Sequence, residues 1–415
     1  MFDPDFVHRH RLSPNAFTRR RQLPFSHLVT VLLNLRKGSA RQELRQFFAT
    51  LHEEPLAEAP TRKALWKARQ QLSPLAFADL NREAVASFRS GMRSSLYHGF
   101  RLLAVDGTTL RLPLSEAVER AFGEAAEGPP LGRVSVLYDI GQDLVVDAQL
   151  AALCVSEREL AIDHLAHAVP GDLVIYDRGY PAFWLMALHR DQGVDFCMRL
   201  CRSSFAVFEP FWQSDEPSAV VTLPPSSQQK RHCRDQRVSD EALRVRLVRV
   251  RLKGGQTEVL VTSVIEETRL PAKAFKALYH KRWSVEENIK RQKRWAEIEN
   301  FSGRSVLVVR QDFHAKILAL NLTAMARQVA DVAAKRHFQH RRYTQQVCWT
   351  DALSTMKNTL VRLLLHEEAT LNDLWRRLIE TLATEVDAVR PDRSYPRENP
   401  GRLKPGFHHS YKRAS

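Results

Sequence analysis

The sequence predicts an α/β protein: a mixed sheet flanked by helices, carrying a β-rich insertion, with helical regions before and after it. Three observations predict this. Apolar residues recur at helical spacing from Phe25 to Arg89. At Phe100 the period changes, and strand-like and helix-like runs then alternate, as they do where helices cover a sheet. Residues 201–270 show strand alternation, and helical spacing resumes at Pro271.

The chain is 415 residues, enough for two or three domains and at least one large core. Its 44% hydrophobic content argues against global disorder. A formal net charge of +15 calls for an acidic partner, and nucleic acid and anionic membrane are the usual ones. No apolar run approaches the ~18 residues that span a bilayer. The N-terminus also lacks the apolar core of a signal peptide. Nucleic acid is the partner class that remains. Cys154, Cys197, Cys201, Cys233 and Cys348 are scattered and odd in number, which suggests a reducing, cytosolic compartment. A zinc site from Cys197, Cys201, His232 and Cys233 would fit no common spacing, and buried thiols are the better reading.

Residues 1–24 form a basic, irregular arm with Arg19, Arg20 and Arg21 in a row, either a solvated tail or a DNA contact. Residues 25–98 form an N-terminal helical domain. Its segments are FSHLVTVLLNLRK, ARQELRQFFATL, TRKALWKARQQL with Thr61 as cap, and LAFADLNREAVASF after Pro74. Residues 1–100 hold 16 Lys/Arg against 8 Asp/Glu, over half the chain's excess, so this bundle is a candidate DNA-binding domain.

Residues 99–310 form the candidate catalytic domain. RLLAVDGTTLRLP reads as a strand, an acid and a turn; GRVSVLYDI and DLVVDAQLAAL read as a hairpin. ERELAIDHLAHAV is helical, GDLVIYDRGY a strand ending in an acid, PAFWLMALHRD a helix, and VDFCMRL a strand. The insertion, 201–270, has three strands, with the Arg side chains of VRLVRVRL expected on one face. Residues 311–389 are helical, with DALSTMKNTLVRLLLHEEATLNDLWRRLIETLATEV as one segment; residues 390–415 read as a disordered basic tail.

Asp106 follows Leu102-Leu103-Ala104-Val105, and Asp177 follows Leu173-Val174-Ile175-Tyr176. Each acid ends a strand with no polar face, and a carboxylate there is costly unless paired or coordinated. Either one alone reads as a turn with its neighbouring Gly107 or Gly179. Two acids at neighbouring strand ends, where such sheets bind ligands, would instead need a cation, and Mg²⁺ suits oxygen donors. YHKRWSVEENIKRQK supplies a third carboxylate. On one helix Tyr279, Arg282, Glu286 and Lys293 share an arc of about 60°, Lys290 lies just beside it, and Glu287 points about 100° from Glu286.

These residues together resemble the DDE motif and Y-R-E-K signature of IS4-family bacterial transposases. The matching parts are DGT at Asp106, DRGY at 177–180, and Tyr279-x2-Arg282-x3-Glu286-x6-Lys293. The resemblance implies an RNase H-like catalytic core. It implies two Mg²⁺ or Mn²⁺ ions held by Asp106, Asp177 and Glu286, and phosphoryl transfer on double-stranded DNA at terminal inverted repeats and target. It implies phosphate contacts from Tyr279, Arg282, Lys290 and Lys293, with Arg178 of the DRGY motif a further DNA-binding candidate. A homodimer in the synaptic complex and a cytoplasmic, nucleoid-associated location follow from the same resemblance. The alternative is a catalytically inactive end-binding protein derived from a transposase; a carboxylate-paired glycosidase fits the cations beside Glu286 poorly. One departure concerns members that stack a flipped base on an aromatic residue of the insertion. Glu258 stands there, and Trp212 or Phe211 would have to substitute from elsewhere, which sets this chain apart from the members that cut through a hairpin.

Overall fold

The computed structural model describes residues 1–19, 21–34, 38–55, 57–92, 95–123, 128–252, 255–366 and 368–390. Arg20 of the basic arm and residues 391–415 of the basic tail lie outside the described residues.

The arm is not irregular throughout. It contains α1 (Pro4–His10), because Asp3 caps the N–H groups of Asp5 and Phe6, Pro4 is preset for a first turn, and Phe6 is buried. The four expected helices follow: α2 (Phe25–Asn34), α3 (Ala40–His52), α4 (Arg62–Arg69) and α5 (Leu75–Gly91). Thr61 does cap α4, by accepting from the Ala64 N–H at 3.2 Å.

Next comes β1 (Arg101–Arg111), which runs straight through Asp106 rather than turning there. A short α6 (Glu116–Phe122) follows that the period did not show; Ser115 caps it and it buries Val118 and Phe122. The hairpin β2 (Leu131–Asp139) and β3 (Leu144–Ala152) is as expected. Then follow α7 (Glu157–Leu165), β4 (Asp172–Tyr176), α8 (Phe183–Gln192) and β5 (Asp195–Arg199). The insertion holds α9 (Glu209–Gln213), β6 (Ser218–Leu223), α10 (Ser227–Asp235), β7 (Leu243–Arg251) and β8 (Thr257–Thr262). Its α10 escapes the periodicity because Cys233 is the one residue recorded as buried on it; a Ser226–Gln229 capping box starts it. After these come α11 (Phe275–Lys281), α12 (Trp283–Arg294), α13 (Val306–His337), β9 (Gln345–Val347), α14 (Trp349–Leu365), α15 (Glu368–Thr384) and β10 (Val386–Ala388). The last long helix expected is thus two, since His366 takes an extended conformation between them.

The chain divides into two compact units. One comprises 1–88, 110–132 and 290–415; its core gathers α2, α3 and α4 with α13 and α14. There Arg69, fully buried, donates to Asp312 at 2.8 Å and to Gln311 at 2.9 Å. The other comprises 89–109 and 133–289. Its sheet has eight strands in the order β3-β2-β1-β4-β5-β8-β7-β6, with β1, β4 and β5 mutually parallel. The order β3-β2-β1-β4-β5 is that of an RNase H-like core. The insertion continues the same sheet, β8 adding antiparallel to β5. The arginines of β7 do not share a face: Arg246 is buried, over the Phe275 ring, whereas Arg249 lies over Phe211. Leu247 and Val248 both intervene between the two pairs, one more than the alternation allows, and shift their phase.

Both faces of the central strands are buried. Leu103, Val105, Val174 and Tyr176 face the core with α7 and α8; Leu102, Leu173 and Ile175 face the core with α11. Among the described residues no helix is long and apolar enough to cross a membrane.

At the start of β1, five residues before Asp106, the buried Arg101 donates to Asp139 at 2.7 Å and Asp172 at 3.2 Å. Burial still holds the Asp172 carboxyl above its usual range against the pull of Arg101. Removing the cation would leave two buried acids uncompensated. Arg101→Met is therefore expected to cost about 3–5 kcal/mol in urea unfolding. A second buried network ties α7 to β2 and β3. His164 bonds Asp147 at 2.7 Å and Ser135 at 2.9 Å. Burial alone would raise the Asp147 carboxyl, but the His164 bond and charge, with His167, hold it at about 2. Its contribution is present above the unfolded value of about 3.9 and is lost as pH falls toward 2. The stability difference between wild type and Asp147→Asn should shrink over that window in acid titrations of unfolding.

Candidate active site

Parallel pairing puts the two aspartates side by side. The register runs Arg101↔Asp172 to Ala104↔Ile175, and continuing it by two residues sets Asp106 opposite Asp177. Asp177 lies just past the end of β4, as expected, whereas Asp106 lies within β1. The adjacent Gly107 is therefore not a turn residue. A Cβ there would stand 2.8 Å from Glu157 Oε1 and 3.2 Å from the Val134 carbonyl, so glycine is needed for close approach.

The third carboxylate arrives on the helix pair. Tyr279 to Lys293 is not one regular helix: α11 ends at Lys281, α12 starts at Trp283, and Arg282 makes a tight joint. Its N–H donates to the Tyr279 carbonyl and its carbonyl accepts from Val285, both three residues away. The shared face survives the joint. Tyr279 is anchored in the core under α11, and its hydroxyl lies 3.5 Å from Asp177 Oδ1. Arg282, only 5% exposed, donates to Glu286 at 2.7 Å and lies 3.8 Å from Asp106. Asp106, Asp177, Glu286, Tyr279 and Arg282 are thus brought together within one unit.

Electrostatics show the convergence. Burial raises the Asp106 carboxyl to about 6; the Gly107 N–H and Arg282 oppose this, and Glu286 and Asp177 add to it. Burial would lower the Arg282 guanidinium, but Tyr279, Glu286, Asp177 and Asp106 outweigh it and raise it. Arg282 Nε is buried without a hydrogen-bond partner.

The other expected residues are placed as follows. Arg178 is exposed, and its N–H donates to the Asp177 carboxylate at 2.6 Å. Lys290, exposed, and Lys293, half-buried, lie one and two turns past Glu286 on α12. Glu287 is exposed. Glu258 pairs with Arg199 at 3.0 Å, which explains a carboxylate at that position. Phe211 is a core residue and Trp212 packs against the same core. Sequence reasoning missed Glu157 and Arg158 of α7, which approach Gly107 on β1 and the Gly179 carbonyl after Asp177. Their signal was the Ser156–Glu159 capping box, which fixes where that helix begins.

The donor set suits a hard divalent cation, since all three groups are carboxylates. The guanidinium linking Asp106 to Glu286 shows that these acids are compensated by positive charge. Among the described residues no three His, Cys, Asp or Glu side chains are already grouped to hold a metal ion. At this site Arg282 stands in the gap.

A family model described as a transposase DDE domain matches residues 97–322. The chain is 24% identical over 332 residues to the transposase InsG for insertion sequence element IS4 of Escherichia coli (strain K12), covering 77% of this chain and 74% of that one. It also matches a solved piggyBac transposase synaptic complex with hairpin DNA, at a TM-score of 0.42 and 10% identity, over 91% of this chain and 81% of that one. That last likeness is loose. More than half of the chain matches the family model, its two aspartates stand opposite each other on neighbouring strands, and the chain belongs to the DDE transposases, in agreement with the resemblance to the IS4 family.

Proposed function

We propose that the protein catalyses divalent-metal-dependent cleavage at the ends of its own insertion sequence and transfer of those ends into target DNA. The observation that supports this most is the pairing of Asp106 and Glu286 with one guanidinium, with Asp177 opposite Asp106 and within electrostatic reach of it. Asp106 lies within β1 and Asp177 just past β4, and both strands are buried on both faces, so the backbone leading to each acid is fixed. With Mg²⁺ or Mn²⁺ bound by these three carboxylates, the site gains Lewis-acid stabilisation of the charge on a phosphate under attack.

The chain's own residues orient that phosphate. Arg282 offers a planar donor set suited to phosphate oxygens, and a phosphate beside Asp106 would compete with the carboxylates for it. Tyr279 holds Asp177 from the core side. Lys290, Lys293 and Arg178 supply further phosphate contacts as point charges or donors. The basic helices of 25–98 bind the element's ends, and a homodimer would present two ends together. The buried wall of α11 excludes water from one side of the site.

Purified protein with Mg²⁺ or Mn²⁺ should nick DNA carrying its own terminal inverted repeats. Asp106→Ala, Asp177→Ala and Glu286→Ala should each lower cleavage by at least about 10³-fold while mobility shifts show unchanged end binding. Glu287→Ala should cleave as wild type. Undiminished cleavage by Glu286→Ala would sink the assignment. Arg282→Lys keeps the charge but loses the fork, and should slow cleavage about 10–100-fold at saturating DNA.

A further inference from the structure

We propose that the first turn of α7 is a strut that braces β1 beside Asp106 and the loop that carries Asp177, with Glu157 and Arg158 as its positioning residues. This rests on Asp106 and Asp177 acting as proposed above.

Two residues adjacent in sequence reach the two aspartate segments, one on β1 and one in the loop after β4. The Glu157 carboxylate lies against the Gly107 backbone, so closely that a Cβ at Gly107 would stand 2.8 Å from Oε1. Arg158 Nε donates to the Gly179 carbonyl at 2.8 Å, two residues past Asp177. Neighbouring side chains on a helix diverge by about 100°, so one turn can brace two segments at once.

The strut is itself fixed. At its start a capping box closes, Ser156 accepting from the Glu159 N–H and Glu159 accepting from the Ser156 N–H. Near its end His164, fully buried, is held by Asp147 and Ser135 on the adjacent strands. Arg133, on β2, lies 3.5 Å from the same Glu157 oxygen that faces Gly107. The helix therefore can neither slide nor roll without breaking buried bonds. Burial of Tyr180, followed by the charges of Glu157 and Asp106, raises its hydroxyl well above the usual range, which puts both acids near one buried group.

Folding stability does not account for these two contacts. Arg158 is exposed and the Glu157 side chain is 39% exposed, and exposed polar contacts contribute little to folding. Both nonetheless land within two residues of an aspartate of the site. Carboxylates that share a cation must be held to within about 0.5 Å, and groups that fix such ligands act without touching the reacting atoms.

The test uses the full chain with Arg158→Met, Arg158→Lys and Glu157→Gln. Single-turnover cleavage of end DNA at saturating protein is measured beside DNA affinity, Tm and calorimetric titration of Mn²⁺ into the DNA-free protein. Arg158→Met and Glu157→Gln should each cleave about 10–100-fold more slowly and bind Mn²⁺ about tenfold more weakly, with DNA affinity and Tm unchanged. Arg158→Lys should recover most of the loss. Gly107→Ala should show the same defect, and adding Glu157→Ala, which removes the carboxylate the new methyl would strike, should restore part of it. Unchanged rates and Mn²⁺ affinity in Arg158→Met and Glu157→Gln would overturn the proposal, as would losses that merely track a fall in Tm. If Arg158→Met fails to fold, the Gly107→Ala pair decides, and absence of any recovery counts against the strut. An Asp106→Ala control that cleaves normally would overturn the role of the acids, and the strut with it. A dead Asp106→Ala beside unaffected strut variants would overturn the strut alone.

Discussion

The parallel pairing of β1 with β4 is the constraint on which the site depends. Two strands that run side by side in the same direction keep one register along their shared length. Whatever residue follows Val105 then faces whatever follows Tyr176. Both strands are covered on both faces, so neither acid can be relocated without repacking two cores. Arg101 clamps the far end of this pair through Asp139 and Asp172, and its burial leaves it no other arrangement. A buried ion pair of this kind is poor evidence of net stability, but it fixes register, and register is what the aspartates need.

The third carboxylate is delivered by different means. Phe275, Leu278 and Tyr279 seat α11 in the core, and the tight turn at Arg282 redirects the chain into α12. The joint matters because Arg282 is both the corner of the backbone and the counter-ion of the acids it delivers. Its guanidinium keeps two nearby carboxylates tolerable while Asp106 is driven toward its neutral form by burial. Carboxylates brought this close would otherwise repel one another.

Much of this was legible in the sequence. The apolar runs before Asp106 and Asp177 marked strands without a polar face, and helical spacing separated Glu286 from Glu287. The departures have local causes. Asp106-Gly107 looked like a turn because aspartate and glycine usually make one, but here the glycine admits Glu157, which no local pattern reveals. The α1 and α10 helices were hidden because each buries few residues, and caps rather than periodicity start them. The β7 arginines split because two apolar residues, Leu247 and Val248, stand between Arg246 and Arg249 where alternation on one face allows one. Glu157 and Arg158 were out of reach, since their meaning depends on segments about 50 residues before and 20 after them in the chain.

The manner in which the insertion joins the sheet bears on how such a protein can change over generations. Between Asp177 and Glu286 lie 108 residues, yet β6, β7 and β8 attach beyond β5 and leave β1 and β4 undisturbed. A sheet that accepts new strands at a free margin can lengthen or shed them there, while its central pair stays as it was. The margin, and not the centre, is where this architecture can vary.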